Sequence, residues 1–324
     1  MPTPHRRSRL RPALARVAGT ALALSLATVL AACGSADPTA PAAAPASASG
    51  GGSKIVVGSF AFPESEILGE IYAQALTAKG VEVETKFNIG PRQQTIPALR
   101  DGSINLIPEY NGNLLAFYNP KYTERTTEDV DKALVAAVAA DKLRVLDSAA
   151  AEDKDAYVVT RKTATDNGLT SIGDLAKIVP FKLGSNPQFG ELGYGIPGLK
   201  DVYGVGTKPK EVTFVPIEDF GGPDTVKALV DDSVQVADIY TTSPALVEND
   251  LVVLEDPENM ISSQNIVPLV ADSVYTDQLG ETLNGISAQL TTEDLIALRG
   301  RVEGEEKASA STAAKDWLAQ KDLL

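Results

Sequence analysis

From Lys54 to Asn113 short apolar runs alternate with amphipathic ones, and that alternation leaves the chain few architectures. Residues 54–57 read as an apolar strand that ends at Gly58 and Ser59. Pro63 suits the first turn of a helix, and Ile67, Leu68, Ile71 and Leu76 then trace one apolar face until Gly80 stops it. Residues 81–87 alternate as a second strand, 93–100 form a short helix that Pro97 breaks into, and Ile104, Leu106 and Ile107 make a third strand. The order β-α-β-α-β implies a parallel sheet with right-handed crossovers.

The third strand is expected to stop at Pro108, which has no N–H to give a ladder and favours extended geometry in the residue before it. Asn111, Gly112 and Asn113 are turn and cap residues, and Leu114, Leu115 and Phe117 begin an apolar helix face. Tyr110 therefore falls at a strand-to-helix junction. The carboxyl ends of strands are where open α/β sheets bind ligands.

A helix is expected over 126–142 and a short strand over 144–146. A strand over 155–160 then starts a second α/β series, with strands at 181–183, 211–216, 236–240 and 251–254. Helices fall at 171–178, 223–230 and 243–248, a further strand at 266–270, and three helices at 275–290, 292–303 and 309–321. Trp317, in the last of them, reads as a packing residue. With crossings near Tyr157 and after Tyr240, this predicts an α/β fold of two lobes, each a mainly parallel sheet flanked by helices. Lobe 1 takes 54–157 and 262–324, lobe 2 takes 158–261, and a ligand sits in the cleft between them. Such lobes close by a hinge motion.

Residues 1–32 carry five arginines and no acidic residue, followed by an apolar run over 17–30. At about 14 residues the run is shorter than the roughly 20 that span a bilayer, so it reads as a secretory signal. It ends in Leu30-Ala31-Ala32-Cys33-Gly34, which looks like a bacterial lipobox with Cys33 as the lipidated residue. The chain is expected to be exported and anchored by that lipid to the outer face of the bacterial cytoplasmic membrane. Residues 33–53, mostly Ala, Pro, Ser and Gly, have little to bury and read as a flexible tether.

Several chemistries drop out. The single histidine is His5, inside the leader, and Cys33 is the single cysteine, which removes His-dependent triads, cysteine nucleophiles and Cys/His zinc sites. No cofactor or metal is expected. Without the leader's five arginines, the 29 basic residues fall to 24 against 43 acidic ones, about 19 net negative charges. Nucleic acid is not a partner for such a body.

Four segments carry a resemblance. Gly58-Ser59-Phe60-Ala61-Phe62-Pro63-Glu64-Ser65-Glu66-Ile67-Leu68 resembles the "Gly-Ser-Lys-x-Phe-Thr-Glu-x-x-Ile-Leu" start of binding proteins from glycine betaine, choline and carnitine ABC importers. Residues 104–113 resemble their "Asp-x-x-Pro-Glu-Tyr-x-Gly-x" segment, Asp155-Ala156-Tyr157 their first crossover, and Ala237 to Thr242 the strand before the second. The likeness covers the whole body and implies the type II periplasmic-binding-protein fold, a small-molecule ligand, a permease and its ATPase as partners, and a monomer without catalytic activity. In that family a quaternary ammonium sits in a box of tyrosines, because ring faces attract a cation that has no hydrogen-bond donor. By motif the box residues fall on Tyr110, Tyr157 and Tyr240.

Three positions depart from the family pattern. Gln264 stands where a fourth box tyrosine is expected, Leu192 where an arginine takes the ligand carboxylate, and Phe60 where the family has a lysine. Losing both cations removes charge-assisted bonds worth about 1.5 to 3 kcal/mol each. The expected ligand site comprises Phe60, Tyr110, Tyr157, Phe189, Tyr194 and Tyr240, with Asn113, Asp155, Thr241 and Gln264 as polar groups. It suits an osmoprotectant-type quaternary amine such as choline or glycine betaine, or alternatively a neutral polyhydroxylated or aromatic solute. Two other classes stay open. An enzyme on the same fold would draw a carboxylate pair from Glu64, Glu66, Glu109, Asp155 and Asp238, and an adhesion or sensor module would use an outer face.

Overall fold

The computed structural model describes residues 54–324; the arginine-rich leader, the lipobox with Cys33 and the tether lie outside the described residues. Among the described residues ten strands occur, β1 (Ile55–Gly58), β2 (Val83–Lys86), β3 (Leu106–Tyr110), β4 (Leu143–Val145) and β5 (Tyr157–Thr160), then β6 (Phe181–Ser185), β7 (Val212–Pro216), β8 (Val236–Asp238), β9 (Leu251–Val253) and β10 (Ile266–Ala271). They form two five-stranded sheets of order β2-β1-β3-β10-β4 and β7-β6-β8-β5-β9. The chain thus builds one sheet, crosses to build the other, and returns through β10 to complete the first.

Neither sheet is mainly parallel. The pairs β1–β2, β1–β3, β6–β7 and β6–β8 are parallel, while β10 runs antiparallel to β3 and β4, and β5 antiparallel to β8 and β9. The βαβ units give the parallel pairs expected of them. The antiparallel ones come from β5 and β10, the strands entered directly from a crossover.

Pro108 does not end β3, which continues to Tyr110 and pairs with β10 in a register that sets Pro108 opposite Pro268. The Pro268 carbonyl accepts from Leu146 N–H on the other side, so the two prolines form a pair that needs no cross-strand hydrogen bond. On the opposite edge β1 reaches β3 only at Leu106, so no ladder bond is lost at Pro108.

The helix Pro63–Ala78 starts with proline at its first position and Glu64 and Glu66 in its first turn, where acidic groups oppose the helix dipole. Its face of Ile67, Leu68, Ile71 and Leu76 is buried in the core around the first sheet, together with Trp317 of the helix Ala310–Gln320. The second sheet has a core on each face, one around Tyr157, Phe181 and Phe189 and one around Val158, Ala237 and Ile239. The helix Arg92–Arg100 keeps Pro97 inside without a break. The helix expected at 171–178 is a 3₁₀ helix, Ile172–Ile178, entered through a capping box of Ser171 and Asp174. Two short helices, Arg161–Asn167 and Ile196–Asp201, have no apolar period to announce them.

Candidate functional site

Three rings line one wall of a cleft of about 1160 Å³ between the two sheets. Phe60 follows β1, Phe62 caps the helix Pro63–Ala78, and Tyr110 ends β3 as the cap of the helix Asn111–Tyr118. Ring centroids lie 5.7 Å apart for Phe60 and Phe62, 6.5 Å for Phe60 and Tyr110, and 6.1 Å for Phe62 and Tyr110. Parallel strands β1 and β3 deliver them side by side because both end at the same edge of the sheet. Phe60 and Tyr110 are buried, while Phe62 is 40% exposed at the mouth. Tyr240, which follows β8, and Asn113 line the same cleft.

Beneath the rings lie carboxyl groups. The Tyr110 hydroxyl donates to Glu64 Oε1 at 2.6 Å. Burial, and after it the nearby Asp153, push the Glu64 carboxyl up to about 8, against the opposing pull of Arg299. Asp153 and Asp155 are two residues apart on the first crossover, just before β5. Asp153 lies close enough to raise the Glu64 carboxyl and accepts from the Thr242 hydroxyl at 2.8 Å. Asp155 lies beside Asp238 and accepts from the Tyr194 hydroxyl at 3.1 Å.

Glu64 Oε2 and Asp238 Oδ1 are buried oxygens with no hydrogen-bond partner among the described residues, a setting that favours the protonated form of each acid. Burial raises Asp153, Asp155 and Asp238, the last also through Asp155 beside it. One crossover therefore sets an acid beside an acid of each sheet's segment, Asp153 beside Glu64 on one side and Asp155 beside Asp238 on the other.

Two arginines reach the cleft. Arg92 forms a bidentate pair with Glu109, Nε to Oε1 at 2.8 Å and Nη2 to Oε2 at 2.6 Å, and its guanidinium lies 5.3 Å from the Phe60 ring centroid. Among the described residues its Nη1 donates to nothing. Arg299 pairs with Glu303, donates to the Thr242 hydroxyl at 2.8 Å and stands 3.8 Å from Glu64.

Of the residues expected at the site, Phe60, Tyr110, Asn113 and Tyr240 line the cleft, and the others do not. Tyr157 is fully buried, stacks edge-on against Phe189 at 5.4 Å and donates its hydroxyl to the Tyr194 carbonyl at 2.8 Å. Phe189 in turn packs on Tyr194 at 5.8 Å. Thr241, which follows β8, holds the first crossover, donating to the Glu152 carbonyl at 2.7 Å and accepting from Lys154 N–H at 3.2 Å; the return crossover comes only after β9. The Gln264 side chain accepts from Asn113 N–H at 2.9 Å and so caps the helix that follows Tyr110. Leu192 is 39% exposed and also lies off the cleft wall. Phe62, Arg92, Asp153 and Arg299 were not among the expected residues. Phe62 lies within the motif quoted for Phe60, whereas the other three have no local signal.

Comparison with known proteins completes the picture. Residues 53–320 match the family described as the substrate binding domain of ABC-type glycine betaine transport system. The chain is 26% identical over 278 residues to the glycine betaine-binding protein YehZ of Escherichia coli (strain K12), across 83% of this chain and 91% of that protein. The apo YehZ structure from Escherichia coli superposes with a TM-score of 0.73 over 84% of this chain and 100% of its own. A glycine betaine/carnitine/choline ABC transporter crystal structure gives a TM-score of 0.76 at 20% identity, over 83% of this chain and 99% of its own, a likeness of fold.

Proposed function

The chain belongs to the family of substrate-binding domains of ABC-type glycine betaine transport systems, and we propose that its cleft takes a small quaternary ammonium solute, with choline favoured over glycine betaine. Its role as the substrate-binding protein of such a transporter follows from the family, and its two-lobed α/β architecture is that of type II periplasmic binding proteins. The observation that supports the ligand class is the hydrogen bond from Tyr110 to Glu64. It sets an electron-rich ring directly above buried acid groups, beside two further rings. A cation without hydrogen-bond donors gains from the ring faces and from the carboxyls below them. A ligand carboxylate finds few free donors, because Arg299 is taken up by Glu303 and Thr242 and Arg92 spends Nε and Nη2 on Glu109, leaving Nη1.

Phe60, Tyr110, Asn113 and Tyr240 form the contact wall in this reading. Tyr157, Phe189, Asp155, Thr241 and Gln264 support it from behind. The lobes divide as 54–157 with 262–324, and 158–261, Tyr157 standing at the boundary. The protein acts outside the cytoplasm without catalysing a reaction, as a monomer held by lipid on Cys33, and passes its ligand to the permease and ATPase. Equilibrium dialysis of labelled choline and labelled glycine betaine against the purified protein tests the ligand class. Retention of choline supports it, and retention of neither compound removes it.

A further inference from the structure

The segment between β7 and the helix Pro223–Val230 contains an anomaly. Phe220 has a φ of +53°, a left-handed conformation that bulky side chains rarely adopt. Its ring is 58% exposed and lines the cleft. A large apolar side chain that bears backbone strain is ordinarily repaid by burial, and here it is not.

The loop around it is held firmly. The Asp219 carboxylate accepts from Asp224 N–H at 2.7 Å, from Thr225 N–H at 3.0 Å and from the Thr225 hydroxyl, which caps the following helix. Gly221, at φ +75°, presses on the end of β8, where an added Cβ would lie 3.0 Å from the Asp238 carbonyl oxygen and from Ile239 Cα. Asp219 and Gly221 thus fix the backbone on both sides of Phe220, and the ring is presented to the cleft by a rigid mount.

We propose that Phe220 is the moving wall of the cation site, a ring carried by the second sheet's segment that closes over a quaternary ammonium resting on Phe62 and Tyr110. This rests on the ligand class proposed above. Phe220 and Tyr240 are the two aromatic residues that the second segment brings to the cleft, against three on the first. The volume of about 1160 Å³ lies above the range of roughly 300–1,000 Å³ usual for ligand pockets, so a small cation needs the cleft to close before rings surround it. Gln264, where the family pattern places a ring, is occupied in capping a helix, and Phe220 brings a ring to the cleft from the opposite segment.

The test is calorimetric titration of choline into the full-length protein and its Phe220→Ala, Phe220→Gly and Phe220→Trp variants, with thermal unfolding of each in the absence of ligand. Phe220→Ala and Phe220→Gly are expected to weaken choline binding roughly 2- to 30-fold, and Phe220→Trp to preserve it. Phe220→Gly is expected to unfold no lower than the parent, because glycine tolerates the positive φ. Unchanged affinity in Phe220→Ala and Phe220→Gly, with choline binding to the parent, overturns the assignment alone. Loss of uptake by cells with unchanged affinity also overturns it and moves Phe220 to a permease-facing role. If the parent binds no quaternary ammonium, the ligand class fails and the assignment falls with it.

Discussion

The Tyr110 hydroxyl donates a 2.6 Å hydrogen bond to Glu64, joining the end of β3 to the first turn of a helix 46 residues earlier. Glu64 is 2% exposed. The bond satisfies one carboxyl oxygen, while the other, Oε2, has no hydrogen-bond partner among the described residues. The two roles of Tyr110, ring and hydroxyl, can be separated. Tyr110→Phe keeps the ring but leaves a buried oxygen unpartnered, so stability should fall by about 1–3 kcal/mol with little loss of choline affinity. Tyr110→Ala should also weaken binding by about 0.5 to 2 kcal/mol. Urea unfolding and calorimetry on both variants measure this, and an unchanged affinity in Tyr110→Ala removes the ring from the site.

The raised buried acids predict how stability depends on pH. A buried acid whose pKa is higher in the folded state keeps a proton that the unfolded chain releases, so stability is greatest on the acid side and falls as pH rises to the folded value. For Glu64 the window runs from its ordinary 4.5 to about 8. Asp153, Asp155 and Asp238 are raised as well and add in the same direction. Carboxylates held low by partners, such as Asp174 and Asp294, titrate below this window. The urea midpoint of the ligand-free protein should decline across the window, and the decline should be shallower in Glu64→Gln. A midpoint that rises with pH contradicts the pairing.

A cation over Tyr110 favours the ionised form of the acids beneath it, so choline binding should release protons at neutral pH. Calorimetric titrations in two buffers of different ionisation enthalpy count them. Equal heats in both buffers would show that the acids do not sense the ligand.

Glu109 is fully buried and its charge is met by Arg92. Breaking such a pair from one side costs about 3–5 kcal/mol. Arg92→Ala should therefore unfold at markedly lower urea, and Arg92→Lys should recover only part of the loss, since an ammonium cannot match the bidentate geometry. Full recovery by lysine would show that charge alone matters there.

Gln264 offers a direct comparison of two roles. As a helix cap it should lose about 0.5–2 kcal/mol of stability on replacement by alanine, with choline affinity unchanged. A large affinity loss in Gln264→Ala at unchanged stability would return it to the binding wall.

How far the sequence reached depends on whether the signal was local. The junction at Tyr110 is written in one stretch, an apolar run, then Pro108, then Asn111 and Gly112. The alternation of strands and helices likewise exposes the lobes. The acid pairs are not visible that way, because Glu64, Asp153 and Asp238 lie far apart in the chain and ordinary surface carboxylates look the same. Gln264 resembles a missing wall residue until its partner, the Asn113 N–H 151 positions earlier, is seen. Pro108 misleads for a similar reason, since only the register with β10 shows that its missing N–H costs nothing. Arg92 and Arg299 lie outside the quoted motifs, so the loss of cations at positions 60 and 192 overstated how bare the cleft would be.

The central claim is that the cleft recognises charge without a hydrogen-bond donor. The most direct measurement compares the affinity of the full-length protein for choline and for 3,3-dimethyl-1-butanol, its neutral isostere, under identical conditions. Choline should bind more tightly by roughly 2- to 30-fold or more, the margin expected when a cation rests on ring faces. Equal affinities, or tighter binding of the neutral compound, would contradict it.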